Sequence, residues 1–371
     1  MKNIISWLNE SNYIKPLSPA CKMCADGSKL VLLITGLCPS KCFYCPLSKK
    51  KIGKDRIFAD EMELKDEKDT KKLILEAELI NATGAGITGG DPLVVWKRTK
   101  NYISILKDYF GSDFHIHLYT TGIKNGEHID SLVSAGLDEI RFHPPPNNWA
   151  YMNNSLTLNS INNSLNSNVD VAIEIPAIPG MQKEILSLTK WANDIGIKWI
   201  NLNELEFSET NAEKLKNKGF TVKDDISAAV EGSQKIANDI IDKVSKEDLK
   251  VGLHYCSSSF KDGIQLRNRI KRRANNISKK YDVISSEGTL LRGIILSKNL
   301  SLKGIYKILK DDYKIDEEYI SINIKKKRIE IAVWILEKIA IDLKKQGFQC
   351  FLIEEYPTAD ALEVERIPMP L

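Results

Sequence analysis

Short apolar runs alternate with longer amphipathic stretches from about residue 29 to residue 255. The short runs are typical of buried strands, and the stretches between them have helical spacing. The pattern predicts strands at Lys29–Thr35, Gly86–Thr88, His115–Tyr119, Glu139–Phe142, Asp170–Ile175, Trp199–Asn203 and Lys250–Tyr255. It predicts helices most clearly at Asp66–Ile80, Asn101–Tyr109, Glu184–Asp194 and Asp225–Val244. Such repeated strand–helix units predict an α/β fold with a parallel sheet, either a barrel or an open part-barrel.

The pattern changes after a basic helix predicted at about Ile264–Lys280. Beyond it, strands are predicted at Val283–Ser297, Tyr319–Ile324, Cys350–Glu355 and Leu362–Ile367, with helices at Leu302–Asp311 and Ala332–Gln346. We therefore expect an N-terminal segment (1–28), a (β/α) barrel with its trailing basic helix (29–282) and a small α+β domain (283–371).

Composition narrows the class of protein. Of the 371 residues, 43% are hydrophobic and 27% are charged, which is typical of a globular protein. No apolar run is long enough to cross a membrane, and the N-terminus lacks a cleavable export signal, so we expect a cytoplasmic protein without a membrane partner. Five of the seven cysteines lie between Cys21 and Cys45. This clustering favours metal binding in a reducing cytoplasm over a disulfide framework.

The strongest chemical signal follows the first predicted strand. Cys38, Cys42 and Cys45 have C-x3-C-x2-C spacing. Three cysteines can ligate three irons of a cubane cluster and leave the fourth iron open to a substrate or cofactor. Tyr44 would place an aromatic ring beside such a cluster. The alternative is structural zinc, which normally requires four ligands and often pairs two C-x2-C units.

The loop Thr35-Gly36-Leu37-Cys38-Pro39-Ser40-Lys41-Cys42-Phe43-Tyr44-Cys45-Pro46 resembles the signature of the radical SAM superfamily, in the version of the pyruvate formate-lyase activating enzymes. This resemblance implies a partial (β/α) barrel that holds a [4Fe–4S] cluster and S-adenosylmethionine (SAM). It also implies reductive cleavage of SAM to a 5′-deoxyadenosyl radical, which abstracts hydrogen from a substrate. An electron donor of the ferredoxin or flavodoxin type is expected.

The resemblance also assigns residues to SAM. Gly89, Gly90 and Asp91 lie in a Gly-Gly-Asp-Pro turn that resembles the family's Gly-Gly-Glu-Pro turn, with the shorter carboxylate in this chain. Thr121, at the end of the third predicted strand, matches a segment near SAM, and Glu174 matches an acidic SAM contact. For Glu174, a carboxylate paired inside the barrel mouth is an equally good interpretation. No residue can be assigned a catalytic part.

A second metal site is predicted from Cys21, Cys24 and Cys256, with His254 as a further candidate ligand. Cys21 and Cys24 form a C-x2-C pair before the first strand, whereas His254 and Cys256 would share one face of the seventh. These residues suit zinc, and the three cysteines alone suit a second iron–sulfur cluster. Against either site, the N-terminal segment would have to climb over the barrel mouth to reach Cys256.

The substrate stays open. By analogy with the family, it is a protein or peptide, including a glycyl-radical enzyme. The basic stretch between Lys261 and Lys280 motivates the alternative of RNA modification, for example of tRNA, although such a stretch is usually a solvated helix face. From another class, the chain could be a metal-binding scaffold without SAM turnover.

Overall fold

The computed structural model of the protein describes residues 2–224 and 227–369, and its contacts divide the chain into two compact units. Unit 1 comprises the residues up to Glu78 together with Ala82–Leu266, and unit 2 comprises Leu79–Asn81 and the residues from Arg267 onward.

Unit 1 is a mixed α/β unit built on a large sheet. Its strands are β1 (Ile4–Ser6), β2 (Asn12–Ile14), β3 (Lys29–Thr35), β4 (Ile57–Ala59), β5 (Met62–Leu64), β6 (Gly84–Gly89), β7 (His115–Thr120), β8 (Glu139–Phe142), β9 (Asp170–Ala177), β10 (Trp199–Glu204) and β11 (Gly252–Cys256). Its helices are α1 (Pro19–Ala25), α2 (Thr70–Leu79), α3 (Trp96–Phe110), α4 (Ile129–Ser134), α5 (Leu158–Leu165), α6 (Gln182–Asp194), α7 (Ala212–Asn217), α8 (Ser233–Ser245) and α9 (Ser258–Phe260), and a π-helical turn follows at Lys261–Leu266.

The strand order is β1-β2-β11-β10-β9-β8-β7-β6-β3-β4-β5. Neighbours from β11 to β3 pair in parallel, which is the order of successive strand–helix units in a partial barrel. The predicted α/β fold and parallel sheet are confirmed. The parallel strands are rich in aliphatic residues, and most of their side chains are buried because helices cover the outer face.

The sequence analysis missed two hairpins that extend this sheet. The first is the pair β1–β2, whose second strand pairs antiparallel with β11, and the other is β4–β5, which pairs antiparallel with β3. Each strand has three residues, which is too short for a readable alternation. The predicted helix Asp225–Val244 begins outside the described residues, and its described part is helical from Ser233 as α8.

Unit 2 is a small α+β unit. It contains α10 (Arg267–Ile277), β12 (Val283–Ile284), β13 (Leu290–Leu296), α11 (Leu302–Asp311), β14 (Ile320–Asn323), β15 (Arg328–Ile331), α12 (Val333–Lys345), β16 (Gln349–Glu355) and β17 (Glu363–Met369). The strands pair antiparallel in the order β14-β15-β13-β16-β17, with β12 beside β13. An apolar core of aliphatic side chains from α11, α12 and the sheet holds it together.

The basic helix belongs to a different unit from the one that the sequence analysis expected. The sequence analysis put it before the boundary at residue 282, whereas the contacts of α10 assign it to unit 2. Arg272 donates to the carbonyls of Ile80 (2.6 Å) and Asn81 (2.5 Å), and Arg273 donates to the carbonyl of Pro357. A charge pattern does not show which arginines serve as internal donors, so these contacts could not be read from the sequence.

Candidate active site

The loop after β3, here called the cysteine loop (residues 36–54), closes on itself at its base. The Gly36 N–H donates to the Lys54 carbonyl at 2.8 Å, and the Gly53 N–H donates to the Gly36 carbonyl at 2.9 Å. A Cβ at Gly36 would lie 1.7 Å from the carbonyl oxygen of Lys51, so only glycine fits there. The loop therefore leaves the strand with a fixed base.

Three free thiols lie on this loop. Cys38 is exposed, whereas Cys42 and Cys45 are half-buried. The Ser40 N–H donates to the Cys38 Sγ at 3.4 Å. Although Cys38 is exposed, the surrounding loop partly desolvates its thiol, which raises the pKa of Cys38 to about 11 against this hydrogen bond. The charges of Asp91, Cys42 and Cys45 raise it further. The three thiols thus lie close enough that they would repel one another as thiolates. A bound metal cation would offset this repulsion.

The ligand count on the cysteine loop is three. In residues 2–224 and 227–369, no three His, Cys, Asp or Glu side chains surround one metal-ion position. A structural zinc ion normally takes four protein ligands, whereas a cubane cluster places each thiolate on a different iron and can leave its fourth iron without a protein ligand. Three thiols on one loop match the ligand count of such a cluster.

Tyr44 lies beside the thiols and joins the loop to the sheet. Its hydroxyl makes a 2.8 Å hydrogen bond with Nε2 of His143, and its carbonyl accepts from the side-chain amide of Asn211 at 3.0 Å. Burial raises the pKa of Tyr44 above its ordinary value, and the charges of Cys42 and Cys45 act in the same direction. His143 follows β8, and burial lowers its pKa, which favours the neutral imidazole in this hydrogen bond.

The Gly-Gly-Asp-Pro turn after β6 lies directly on the base of the cysteine loop. The Gly90 N–H donates to the Thr35 carbonyl (2.7 Å), and the Asp91 N–H donates to the Leu37 carbonyl (2.8 Å). Gly89 has a φ of +134°, and a Cβ there would lie 2.2 Å from the Thr35 oxygen. A Cβ at Gly90 would lie equally close to the Leu37 oxygen. The two motifs therefore touch through backbone, which glycine alone permits.

The Asp91 carboxylate accepts hydrogen bonds from neighbouring residues of the chain. Its buried carboxylate accepts from the hydroxyls of Thr120 (2.7 Å) and Thr121 (2.5 Å) and from the N–H groups of Thr121 (3.1 Å) and Leu93 (3.0 Å). Despite these bonds, burial raises the pKa of Asp91. The carboxylate thus fixes the turn to the end of β7. Direct contact of Asp91 or Thr121 with SAM stays a prediction, and this geometry favours a positioning part for both.

Glu174 belongs to a polar network inside the barrel. Its carboxylate accepts from Nη1 of Arg141 (2.6 Å) and from the Asn203 amide (2.8 Å). Arg141 also donates to Glu139 (2.6 Å) and to the Ser18 hydroxyl (3.0 Å). Glu174 is therefore a paired carboxylate, as one of its two sequence interpretations expected. Its contact with SAM stays a prediction.

Sequence reasoning missed Arg141 and His143. The signal for Arg141 was available, because Glu139 and Arg141 are two charged residues on one face of an otherwise apolar strand. His143 directly follows the same strand, at the end where barrel enzymes place their chemistry. Neither position has a recognisable motif around it.

The remaining predicted ligands form what we call the interior cysteine group, namely Cys21, Cys24 and Cys256. Burial raises the pKa of Cys21 to about 12, and Arg141 donates to its sulfur at 3.4 Å. Burial also raises the pKa of Cys256, and the charges of Cys21 and Cys24 contribute to that shift. The expected obstacle does not arise, because α1 contacts β3, β6 and β7 and reaches these residues through the barrel interior.

Two family models match the chain. The model of the radical SAM superfamily matches residues 32–144, which include the cysteine loop and the Gly-Gly-Asp-Pro turn. A domain of unknown function (DUF8061) matches residues 288–369, which lie within unit 2.

One curated relative and two solved structures are similar to the chain. A protein of Methanocaldococcus jannaschii named "Putative glycyl-radical enzyme activating enzyme" is 44% identical over 369 residues, which is 97% of this chain and 94% of the relative. SuiB of Streptococcus suis, bound to the precursor peptide SuiA, matches 70% of this chain with a TM-score of 0.45 and 13% identity. The methyltransferase TsrM of Kitasatospora setae matches 71% with a TM-score of 0.38 and 11% identity. This chain spans 53% and 56% of those two structures.

Within the described residues, no helix is both long and apolar enough to cross a membrane.

Proposed function

The chain belongs to the radical SAM superfamily and is an enzyme of that type, and we propose that it removes a hydrogen atom from a protein or peptide substrate. The observation that carries the proposal is the backbone contact between two motifs. The turn predicted to bind SAM donates its Gly90 and Asp91 N–H groups to carbonyls of the loop predicted to bind the cluster. SAM held on this turn would therefore lie beside the cluster.

In this proposal Cys38, Cys42 and Cys45 ligate three irons of a [4Fe–4S] cluster and leave the fourth for SAM. When bound, the cluster and SAM supply one-electron cleavage of SAM and abstraction of hydrogen from the substrate. The protein supplies position and shelter from water. Gly89 and Gly90 keep the space beside the loop free of side chains, and Tyr44 covers the thiols on another side.

The interior network supports the same site. Glu174 is fixed by Arg141 and Asn203, so its position does not depend on a bound molecule. We propose that Glu174 contacts SAM through lone pairs that these two donors leave free, since a carboxylate can accept about four hydrogen bonds. Arg141 forms ion pairs with both Glu139 and Glu174, so neither carboxylate is buried inside the barrel without a cationic partner.

The protein-substrate hypothesis rests on the relative. The Methanocaldococcus jannaschii protein is named as an activating enzyme, and the similarity extends over nearly the whole of both chains. We propose on this ground that the substrate is a protein or peptide, and that a ferredoxin- or flavodoxin-type protein supplies the electron.

RNA modification is a weaker hypothesis. Three arginines of the basic helix α10 already have partners within unit 2. Arg272 and Arg273 donate to backbone carbonyls, and Arg267 lies 4.0 Å from the Glu287 carboxylate. Side chains engaged in this way are less available to a phosphate backbone. The scaffold hypothesis is not favoured either, since the turn and the cysteine loop are both intact and in contact.

The decisive experiment measures SAM cleavage. The protein, purified and reconstituted without oxygen, is reduced with dithionite and given SAM, and 5′-deoxyadenosine is quantified. We expect formation by the wild type, and a loss of at least about 100-fold in Cys42→Ala, because a cluster lacking one ligand is lost or misplaced. Cys350→Ala, which removes a buried thiol of unit 2, is the matched control.

Equal 5′-deoxyadenosine formation by Cys42→Ala and the control would refute the proposal. For the substrate, retention of bulk tRNA at low salt, lost as salt is raised, would favour RNA over protein.

A further inference from the structure

His254 is a buried imidazole that lacks partners in the part of the chain that the structure describes. It is 4% exposed, and neither Nδ1 nor Nε2 has a hydrogen bond. Its neighbours include the rings of Trp7 and Phe260, with centroids at 5.5 and 6.3 Å. Buried polar groups are nearly always paired, so a buried imidazole with two unpaired ring nitrogens is a candidate metal ligand.

The interior cysteine group lies in the same region of the barrel as this imidazole. Cys21 and His254 line the same small cavity, and Cys256 lies on the same face of β11 as His254, two residues further on. Ala25, which directly follows Cys24, packs in one apolar cluster with Cys256. Two segments more than two hundred residues apart in sequence thus bring three thiols and one imidazole into one region.

Two of these sulfurs also accept hydrogen bonds. Arg141 donates to Cys21 at 3.4 Å, and the Gln265 amide donates to Cys256 at 3.6 Å. N–H donors aimed at sulfur stabilise the thiolate and are typical of metal-bound cysteines. Gln265 lies in the π-helical turn, a distortion that is frequent at functional sites.

We propose that Cys21, Cys24 and Cys256 are thiolate ligands of a second metal centre, with the His254 imidazole as the fourth donor. All four ligands come from the protein, so the centre is closed to substrate. It fastens α1 to β11 inside the barrel. Three thiolates and one imidazole suit either a structural zinc ion or an iron–sulfur cluster, and the metal analysis below distinguishes the two.

The test separates this centre from the one on the cysteine loop. The background is the full-length variant Cys38→Ala/Cys42→Ala/Cys45→Ala, in which the loop cannot hold metal. After expression with iron and zinc in the medium and purification without oxygen, iron, sulfide and zinc are measured per chain. We expect about four irons with sulfide, or about one zinc. Adding Cys256→Ala should lower that content at least about tenfold, whereas adding Cys350→Ala should leave it unchanged.

Two outcomes overturn the proposal. One is a background variant without metal, and the other is a metal content that Cys256→Ala leaves unchanged. X-ray absorption at the iron or zinc edge of the background variant decides the matter if the Cys256 variant does not fold. A first shell dominated by sulfur with a nitrogen contribution supports the ligand set, and a shell of oxygen alone overturns it. The result does not depend on SAM cleavage, so it stands or falls separately from the proposed function.

Discussion

The cysteine loop and the interior cysteine group present the same ligand atom in two different ways. On the loop, three thiols follow one another within a few residues, and one of them is exposed. In the interior group, one helix supplies two sulfurs and a distant strand supplies the third together with the imidazole. The loop is held by glycines and backbone hydrogen bonds, whereas the interior group is held by a buried arginine network.

Because the two sites are held together differently, different kinds of substitution should disrupt them. A loop built on close backbone contact fails when a side chain is added, since backbone cannot move aside cheaply. A buried group built on charge pairs fails when one partner is removed, since the remaining charge stays buried. Four substitutions test this contrast, the first through the rate of SAM cleavage and the other three through stability, in order of decreasing effect on stability.

Gly90→Ala should disrupt the contact between the Gly-Gly-Asp-Pro turn and the cysteine loop. The added Cβ would lie 2.2 Å from the Leu37 oxygen and 2.5 Å from its carbonyl carbon, so the turn must move away from the cysteine loop. A shift of about 1 Å at a reacting centre costs about 100-fold in rate. We expect a loss of that size in 5′-deoxyadenosine formation. The control is Gly304→Ala, where an added Cβ makes only ordinary contacts and activity should be retained.

Arg141→Leu should disrupt the buried ion pairs beside the interior cysteine group. Glu139 and Glu174 would then be buried without their cationic partner, and Cys21 would lose its N–H donor. Removing one member of a buried ion pair costs roughly 3–5 kcal/mol. Denaturant titration of the free energy of unfolding checks this, with Lys235→Ala as control, an exposed helix pair worth about 0.5 kcal/mol or less. A loss equal to that of the control would contradict the assignment.

Tyr44→Phe tests the support of the cysteine loop without removing a ligand. The variant loses the 2.8 Å hydrogen bond to His143 but keeps the ring beside the thiols. We expect iron content to be retained and stability to fall by about 1 kcal/mol. Tyr109→Phe is the matched control, because its hydroxyl bonds Glu78 at the surface. If Tyr44→Phe also lost its iron, the hydroxyl would have a larger part than we assign.

The pH dependence of stability tests the interior directly. His117 lies on β7, where its imidazole is buried and its Nε2 makes a 3.0 Å hydrogen bond with the Tyr119 hydroxyl. Burial lowers the pKa of His117 well below its ordinary value, and the Lys29 charge acts in the same direction. Below about pH 6.5 the unfolded chain therefore binds a proton at this residue that the folded chain does not. As a result, the free energy of unfolding decreases as the pH is lowered. His117→Gln should show a shallower fall between about pH 7.5 and about pH 5.5. Parallel curves for the two proteins would contradict this.

Much of the fold could be predicted because the strands carry their own pattern. Lys29–Thr35 and Glu139–Phe142 have the bounds that the sequence predicted, since each is a run bounded by polar turns. The short strands β1, β2, β4 and β5 could not be predicted, because their pairing with longer strands, rather than their composition, makes them strands.

The site divides in the same way. The sequence alone located the cysteine loop, the Gly-Gly-Asp-Pro turn and the family, because each depends on residues close together in the chain. The tertiary structure alone decided that Asp91 binds the two threonines, that Arg141 pairs with Glu174, and that His254 and Cys21 line one cavity. These contacts depend on which strands become neighbours and on where α1 packs. Burial and charge pairing among residues distant in sequence select that arrangement, and no local spacing records it.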